Sequence, residues 1–184
     1  GKFGESGDFR FTYRQQNDDG LRNQYDWIDS YYSRLFDFRA DFTLTERDSL
    51  QVSAGNVDAV TQRGRLSTST WQSNPANPIR DFEQSNSFLQ VKWRRALSID
   101  SDFQLRYAYS IDKGSEAFLV PGRSVVYDPW GAEGSRHEIE AQHNLRLFED
   151  VRLAWGGSWR QDSITAQTTL ANQGNVNRDV ARLF

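Results

Sequence analysis

The sequence predicts an all-β fold: an antiparallel up-and-down transmembrane β-barrel, seen here as about seven or eight strands. Three observations predict it. Side chains alternate apolar and polar with a period of two along most of the chain, while helical periodicity is poor. Short and long connections follow one another strictly, which in a meander gathers short turns at one end and long loops at the other. The chain is polar, with a mean hydropathy of −0.76, yet 14% of its residues are aromatic. No stretch approaches the roughly 18–20 apolar residues of a membrane-crossing helix, but a strand crosses with only alternate residues apolar.

The strands follow in order. "GDFRFTYRQQ" sets Phe9, Phe11 and Tyr13 against Arg10, Thr12 and Arg14. "RLFDFRADFTL" sets Phe36, Phe38, Ala40, Phe42 and Leu44 against Asp37, Arg39, Asp41 and Thr43. After "TERD" the alternation resumes with Leu50, Val52 and Ala54 opposite Gln51, Ser53 and Gly55. "SFLQVKWRRAL" opposes Leu89, Val91 and Trp93 to Gln90, Lys92 and Arg94, and "DFQLRYAYSI" opposes Phe103, Leu105, Tyr107 and Tyr109 to Gln104, Arg106, Ala108 and Ser110. "HEIEAQHNLRLF" places Ile139, Ala141, Leu145 and Leu147 opposite Glu138, Glu140, Gln142, Asn144 and Arg146. "VRLAWGGSWR" places Val151, Leu153, Trp155 and Trp159 opposite Arg152, Ala154, Ser158 and Arg160, and an eighth strand begins at "ARLF".

Between them, "TERD", "SIDSD" and "FED" are of hairpin length. The other connections are predicted to run to roughly 16 residues after Gln15, 28 after Asp58 and 25 after Ile111, against about 2–5 for a usual hairpin. The polar face carries full charges. The apolar face places bulky aromatics near strand ends: Phe9, Phe42, Trp93 and Phe103 toward the short turns, Tyr13, Tyr109 and Trp159 toward the long loops. Two such belts are what the two lipid–water interfaces select. A water-soluble sheet would instead pack the same face on a core.

With 184 residues the chain is one domain or a piece of a larger protein. A net charge of −3 gives no electrostatic case for nucleic acid, and the absence of cysteine excludes disulfides and Cys-based metal sites. The opening "GKFGESGDF" has no signal-peptide pattern, and "DVARLF" stops as an alternation starts. Both ends are expected to be cuts in a longer chain.

In order and spacing, these stretches resemble a TonB-dependent outer-membrane receptor. "GDFRFTYRQQNDDG" is similar to an early up-strand entering an extracellular loop, and "FDFRADFTLTERDSLQVSAGN" to the next down-strand, periplasmic turn and up-strand. "VKWRRALSIDSDFQLRYAYS" looks like the following pair, and "VRLAWGGSWRQDSI" with "ARLF" like a mid-barrel strand, loop and return. The resemblance implies a barrel of 22 strands around an N-terminal plug, with residues 1–184 covering approximately its third strand to the start of its tenth. No plug or TonB-box segment is found in this sequence. It further implies bacterial outer-membrane localisation, and as partners the receptor's own plug, the TonB energy-transducing complex, outer-membrane lipid and a scarce nutrient such as a ferric siderophore.

Residues with other chemistry are read against structural alternatives. His143 shares the parity of Ile139 and Leu145, so it points outward, and His137 reads as a loop–strand junction histidine beside Arg136 and Glu138. Glu138 with Glu140, and Asp37 with Asp41, could do acid–base work, but Arg39, Arg106, Arg146 and Arg152 on the same face make a charge lattice the better reading. "NDDG" lacks the spacing of a calcium loop. "WGGSW" is no phosphate loop, and no serine sits in a Gly-x-Ser-x-Gly elbow.

The long loops hold the candidate ligand-binding residues: Tyr25 and Trp27 in the first; Arg63, Arg65, Trp71 and Arg80 in the second; Phe118, Arg123, Tyr127 and Trp130 in the third. Tyr31 and Tyr32 also fall near the first loop, as interface anchors or contacts. Aromatic and Arg groups there could hold an anionic or aromatic ligand by stacking and charge-assisted hydrogen bonds, or simply pack the loops on one another. The expected activity is binding and transport, with no covalent chemistry and no cofactor. The competing expectations are a passive porin, an outer-membrane enzyme with His137 as base, and a soluble β-domain for adhesion or scaffolding.

Overall fold

The computed structural model describes residues 1–21, 26, 28–119, 122, 126–129, 131–166 and 174–184, with Tyr127 described by its backbone alone. Its strands are β1 (Lys2–Phe3), β2 (Gly7–Asp18), β3 (Tyr31–Thr43), β4 (Asp48–Arg63), β5 (Arg80–Ser98), β6 (Ser101–Ser115), β7 (Phe118–Leu119), β8 (Val126–Tyr127), β9 (Ala132–Phe148), β10 (Val151–Thr165) and β11 (Asn175–Leu183). Nine of them form one sheet in the order β1-β2-β3-β4-β5-β6-β9-β10-β11, and β7 and β8 pair as a small hairpin. All pairings are antiparallel between neighbours, an up-and-down meander that stays open between β1 and β11. The short turns 4–6, 44–47, 99–100 and 149–150 lie at one end, and the connections 19–30, 64–79, 116–131 and 166–174 at the other.

Apart from Leu44 and Phe184, which fall just past the ends of β3 and β11, each strand contains the stretch predicted for it, and most run further toward the long-loop end. β5 starts at Arg80 where the alternation is first visible at Ser87, and β11 starts at Asn175 rather than at Ala181. The long connections are correspondingly shorter than expected. The reason is physical: in "RDFEQSN" both faces are mostly polar, so the ladder of backbone hydrogen bonds continues where the hydropathy alternation does not. β1 and the β7–β8 hairpin are too short to leave a pattern.

The alternation divides the sheet into two faces. On one, the apolar side chains form a band that crosses the hydrogen-bond rows obliquely. Phe11 of β2 is level with Phe38, Ala54, Leu89, Tyr109, His137 and Gln161 in register. In β2 the band is centred on that row. In β10 it is centred on Trp155, which is level with His143, Phe103 and Arg95, rows nearer the short turns. The band therefore slips by about one residue per strand, which with a rise of ~3.3 Å and a strand spacing of ~4.8 Å corresponds to a tilt of about 35°.

Neither face is covered. Among the described residues only Ile28, Ala40 and Ala166 are buried hydrophobics, while Phe11 is 55% and Trp155 54% exposed. The accessible surface is 12872 Å², against about 9,000 Å² for a compact soluble protein of this mass. Order comes instead from the ladders and from cross-strand packing. Phe11 meets Phe36 edge-on at 5.0 Å, and Trp93 meets Phe103 at 6.1 Å while its indole N–H donates to Asp48 Oδ1 at 3.1 Å. Three aromatics lie over glycines of the neighbouring strand: Phe42 over Gly7, Phe88 over Gly55 and Phe184 over Gly156, where a Cβ would stand 2.7, 2.4 and 3.0 Å from the ring. A ring filling the gap above a cross-strand glycine shields that backbone and pins the register.

Candidate functional site

The long-loop end is organised around one buried carboxylate. Glu116 continues the polar parity of β6 past Asp112 and Gly114, and its residue is 1% exposed. Arg63, the last residue of β4, donates from Nη1 to Glu116 Oε2 at 3.3 Å, and Arg80, the first of β5, donates from Nε to Oε1 at 2.9 Å. Both guanidinium groups are backed by rings: Arg63 lies 3.9 Å over Phe82, and Arg80 4.7 Å over Phe118. Arg80 also donates from Nη1 to Asn77 Oδ1 at 2.6 Å and to the Pro78 carbonyl at 2.9 Å. On the other side, Asp128 accepts from the Glu116 N–H and from Ser115 Oγ, each at 2.7 Å. Two arginines satisfy a charge that would be very costly to bury alone.

The clamp joins the second and third long connections, and the first is laid against the second. Ile28, 5% exposed, donates its N–H to the Gly64 carbonyl at 3.2 Å. Leu66 donates to the Asp26 carbonyl at 2.7 Å, and Arg65 Nη1 lies 3.6 Å from Asp26 Oδ2. Gly64 makes this departure from β4 possible: its φ of +119° suits glycine, and a Cβ there would sit 2.5 Å from the Pro78 carbonyl oxygen. Beyond it, the bridge between Leu66 and Ser73 closes a small hairpin, and Trp71 stands near its tip with φ 56° and 58% exposure. A positive φ is rare for so bulky a residue and marks a conformation held by its surroundings.

Of the predicted site residues, Arg63, Arg80 and Phe118 are therefore brought together, but around the chain's own carboxylate. Arg65 is engaged with Asp26, and Trp71 projects separately. Tyr127 pairs with Phe118 through its backbone. Tyr25, Trp27, Arg123 and Trp130 lie outside the described residues. Tyr31 and Tyr32 begin β3, with Arg34 stacked 5.3 Å over the Tyr32 ring. Sequence reading missed Glu116, Phe82 and Asp128. The parity run from Arg106 to Glu116, opposite Arg80 and Phe82, was the one signal for the carboxylate.

Below the clamp, the polar face is a lattice of ion pairs. Arg106 Nη2 donates to Glu138 Oε1 at 2.5 Å and to Glu140 Oε2 at 3.0 Å. Arg136 Nε donates to Asp162 Oδ1 at 2.6 Å, and Arg160 Nε lies 3.1 Å from Asp162 Oδ2 but off the line of a hydrogen bond. Arg10 pairs with Asp37, Arg39 with Asp41, Arg94 with Asp102 and Arg146 with Asp100. The paired carboxylates are thus bound to arginines. On the other face, near the long-loop end, Lys113 donates to Glu133 at 2.9 Å, and that hydrogen bond and charge hold the ammonium above the ordinary lysine range.

Both histidines stand on the apolar face within strands. His137 lies inside β9, so the expected loop–strand junction is corrected by the longer strand. Its Nδ1 is 2.9 Å from Tyr107 Oη, and its ring lies 4.6 Å from that of Tyr109. His143 Nε2 is 2.8 Å from Ser101 Oγ, with Trp155 edge-on at 5.6 Å. Among the described residues no group of three or more His, Asp or Glu is placed to hold a metal ion.

A recess of about 600 Å³ at the upper ends of β4, β5, β6 and β9 has Asp58, Glu83, Ser85, Lys113 and Glu133 in its wall. These side chains share the parity of the apolar band, so the recess opens on the opposite face from the Arg63–Arg80–Glu116 clamp.

No protein-family model matches the chain, and no curated protein matches it significantly.

Proposed function

We propose that the chain is barrel wall of a TonB-dependent outer-membrane receptor, which captures a scarce nutrient, best fitted by a ferric siderophore, at its long extracellular loops. The observation that carries the membrane part is the oblique apolar band. Each large side chain left in water forgoes about 1.5–3 kcal/mol relative to burial, and this face leaves many of them bare with no second layer to cover it. Hydrocarbon supplies the missing layer. Its flat boundaries require the band to hold constant height on tilted strands, and a slip giving about 35° agrees with the roughly 35–45° of membrane barrels.

The strand lengths support the same reading. A tilted strand crosses with about 9–11 residues, so β4 with 16 and β5 with 19 stand well clear of the bilayer at the long-loop end. There the paired polar faces and the clamped loops form the mouth. The opposing charged face then lines the lumen, where its lattice meets water or a plug. Trp93, bonded at the short-turn end, and Tyr13 and Tyr109 toward the loops serve as interface anchors.

For transport, the support is the resemblance of the strand order and the aromatic and Arg content of the loops. The test is uptake of radiolabelled ferric siderophore by cells carrying the full receptor as their sole route. Uptake that stops on dissipating the proton-motive force, or on removing the energy-transducing partner, is expected. Passive uptake that persists in both would replace the receptor with a porin.

A further inference from the structure

We infer that the Arg63–Arg80 pair is a carboxylate-binding cradle held shut by Glu116, and that a polycarboxylate ligand enters it by displacing Glu116 together with the start of the third connection. This deepens the proposed function, since it rests on the long-loop end facing the ligand and assigns that ligand a chemical class.

Three features separate the cradle from an ordinary structural ion pair. First, the arginines are positioned without the glutamate. Arg80 is fixed by Asn77 and the Pro78 carbonyl, neither of which moves with the glutamate, and Arg63 rests on Phe82. A guanidinium held by independent contacts loses little freedom when it binds an anion, so the site stays organised when its occupant leaves. Second, each arginine takes one oxygen, Nη1 on Oε2 and Nε on Oε1, so a carboxylate in this place is held by charge-assisted hydrogen bonds to both of its oxygens. Third, the occupant is mounted differently from its receptor. Arg63 and Arg80 end long strands paired with each other in register, whereas Glu116 opens the connection 116–131, anchored there through Asp128. The two cations thus stand on paired strands, and their occupant on a connection outside the main sheet.

An occupant tethered to the same chain has an effective concentration on the order of millimolar or more. A lone monocarboxylate therefore competes poorly, while a ligand with two or three carboxylates can engage both arginines and gain further contacts on the rim. Displacement frees segment 116–119 and removes the link between the second and third connections, so binding and loop opening are one event.

The test uses the purified full receptor in detergent. In wild type, millimolar citrate is expected to open the Phe118 bond to chymotrypsin several-fold faster, while sodium chloride at equal ionic strength does not. Arg80→Ala is expected to abolish the citrate response. In Glu116→Ala, acetate is expected to raise the unfolding temperature above that in chloride, and Glu116→Ala with Arg80→Ala to lose that rescue. A citrate response absent from wild type, or one retained by Arg80→Ala, overturns the inference. So does the lack of acetate rescue in a folded Glu116→Ala; if that variant does not assemble, the wild-type and Arg80→Ala measurements decide alone. These readouts concern the isolated protein, so they can succeed where energised uptake fails, and the reverse.

Discussion

Glu138 and Glu140, neighbours on the same face of β9, share a single guanidinium nitrogen of Arg106 on β6. All three side chains are about three-quarters buried, so neither carboxylate is well screened by solvent. Replacing Arg106 by Met is expected to lower stability by about 1–3 kcal/mol, because two like charges are left facing each other. Adding Glu138→Gln and Glu140→Gln should recover most of the loss. The unfolding midpoint of each variant in detergent measures it, and equal losses with and without the glutamines would show that Arg106 acts through packing alone.

The chain has no cysteine, so single thiols report orientation cleanly. A fluorophore on Val91→Cys or Leu105→Cys is expected to be quenched by nitroxides on lipid chains. On Gln90→Cys or Gln104→Cys it should respond to aqueous quenchers instead. Equal aqueous quenching at all four positions would remove lipid from the apolar face.

Gly55 leaves room for the Phe88 ring of the next strand, and a β-branched side chain there also meets the Phe36 carbonyl. Gly55→Val should cost about 1–3 kcal/mol by overpacking. Pairing it with Phe88→Ala removes the clash but not the approach to Phe36, so partial recovery in thermal unfolding is the expected result.

Gly64→Ala combines a disfavoured positive φ with a collision at Pro78. A loss of about 1 kcal/mol or more is expected, together with faster proteolysis in 64–79, since both Arg63 and the support of Ile28 adjoin it. Unchanged protease sensitivity would show that the loop does not depend on this backbone.

Trp71→Ala should weaken siderophore binding about tenfold if the ring stacks on ligand, with stability little changed, because its side chain is mostly exposed. Trp71→Gly relaxes the backbone as well. A loss in Gly but not in Ala would locate the effect in the positive φ, not the ring.

The sequence displayed strands wherever one face had to be apolar, and lost them where both faces were polar. Phe9, Phe11 and Tyr13 announce β2, but nothing in "RDFEQSN" distinguishes the start of β5 from a loop. The candidate arginines were legible as residue types, while their partner was not. Glu116 lies 53 residues from Arg63 and 36 from Arg80, and only pairing of β4, β5 and β6 brings the three together. Loop aromatics and cations raised the expectation of a binding surface. They could not announce that two of the cations already hold an anion.

The slip of the greasy stripe carries a geometric obligation. If it continues around a full circle of such strands, the stripe descends like a thread on a screw, by about as many residues as there are staves. The first and last staves then cannot meet flush. Their seam must be offset along its length by that whole accumulated pitch, and a seam zipped without it would lift one side of the cylinder's hydrophobic collar out of the bilayer.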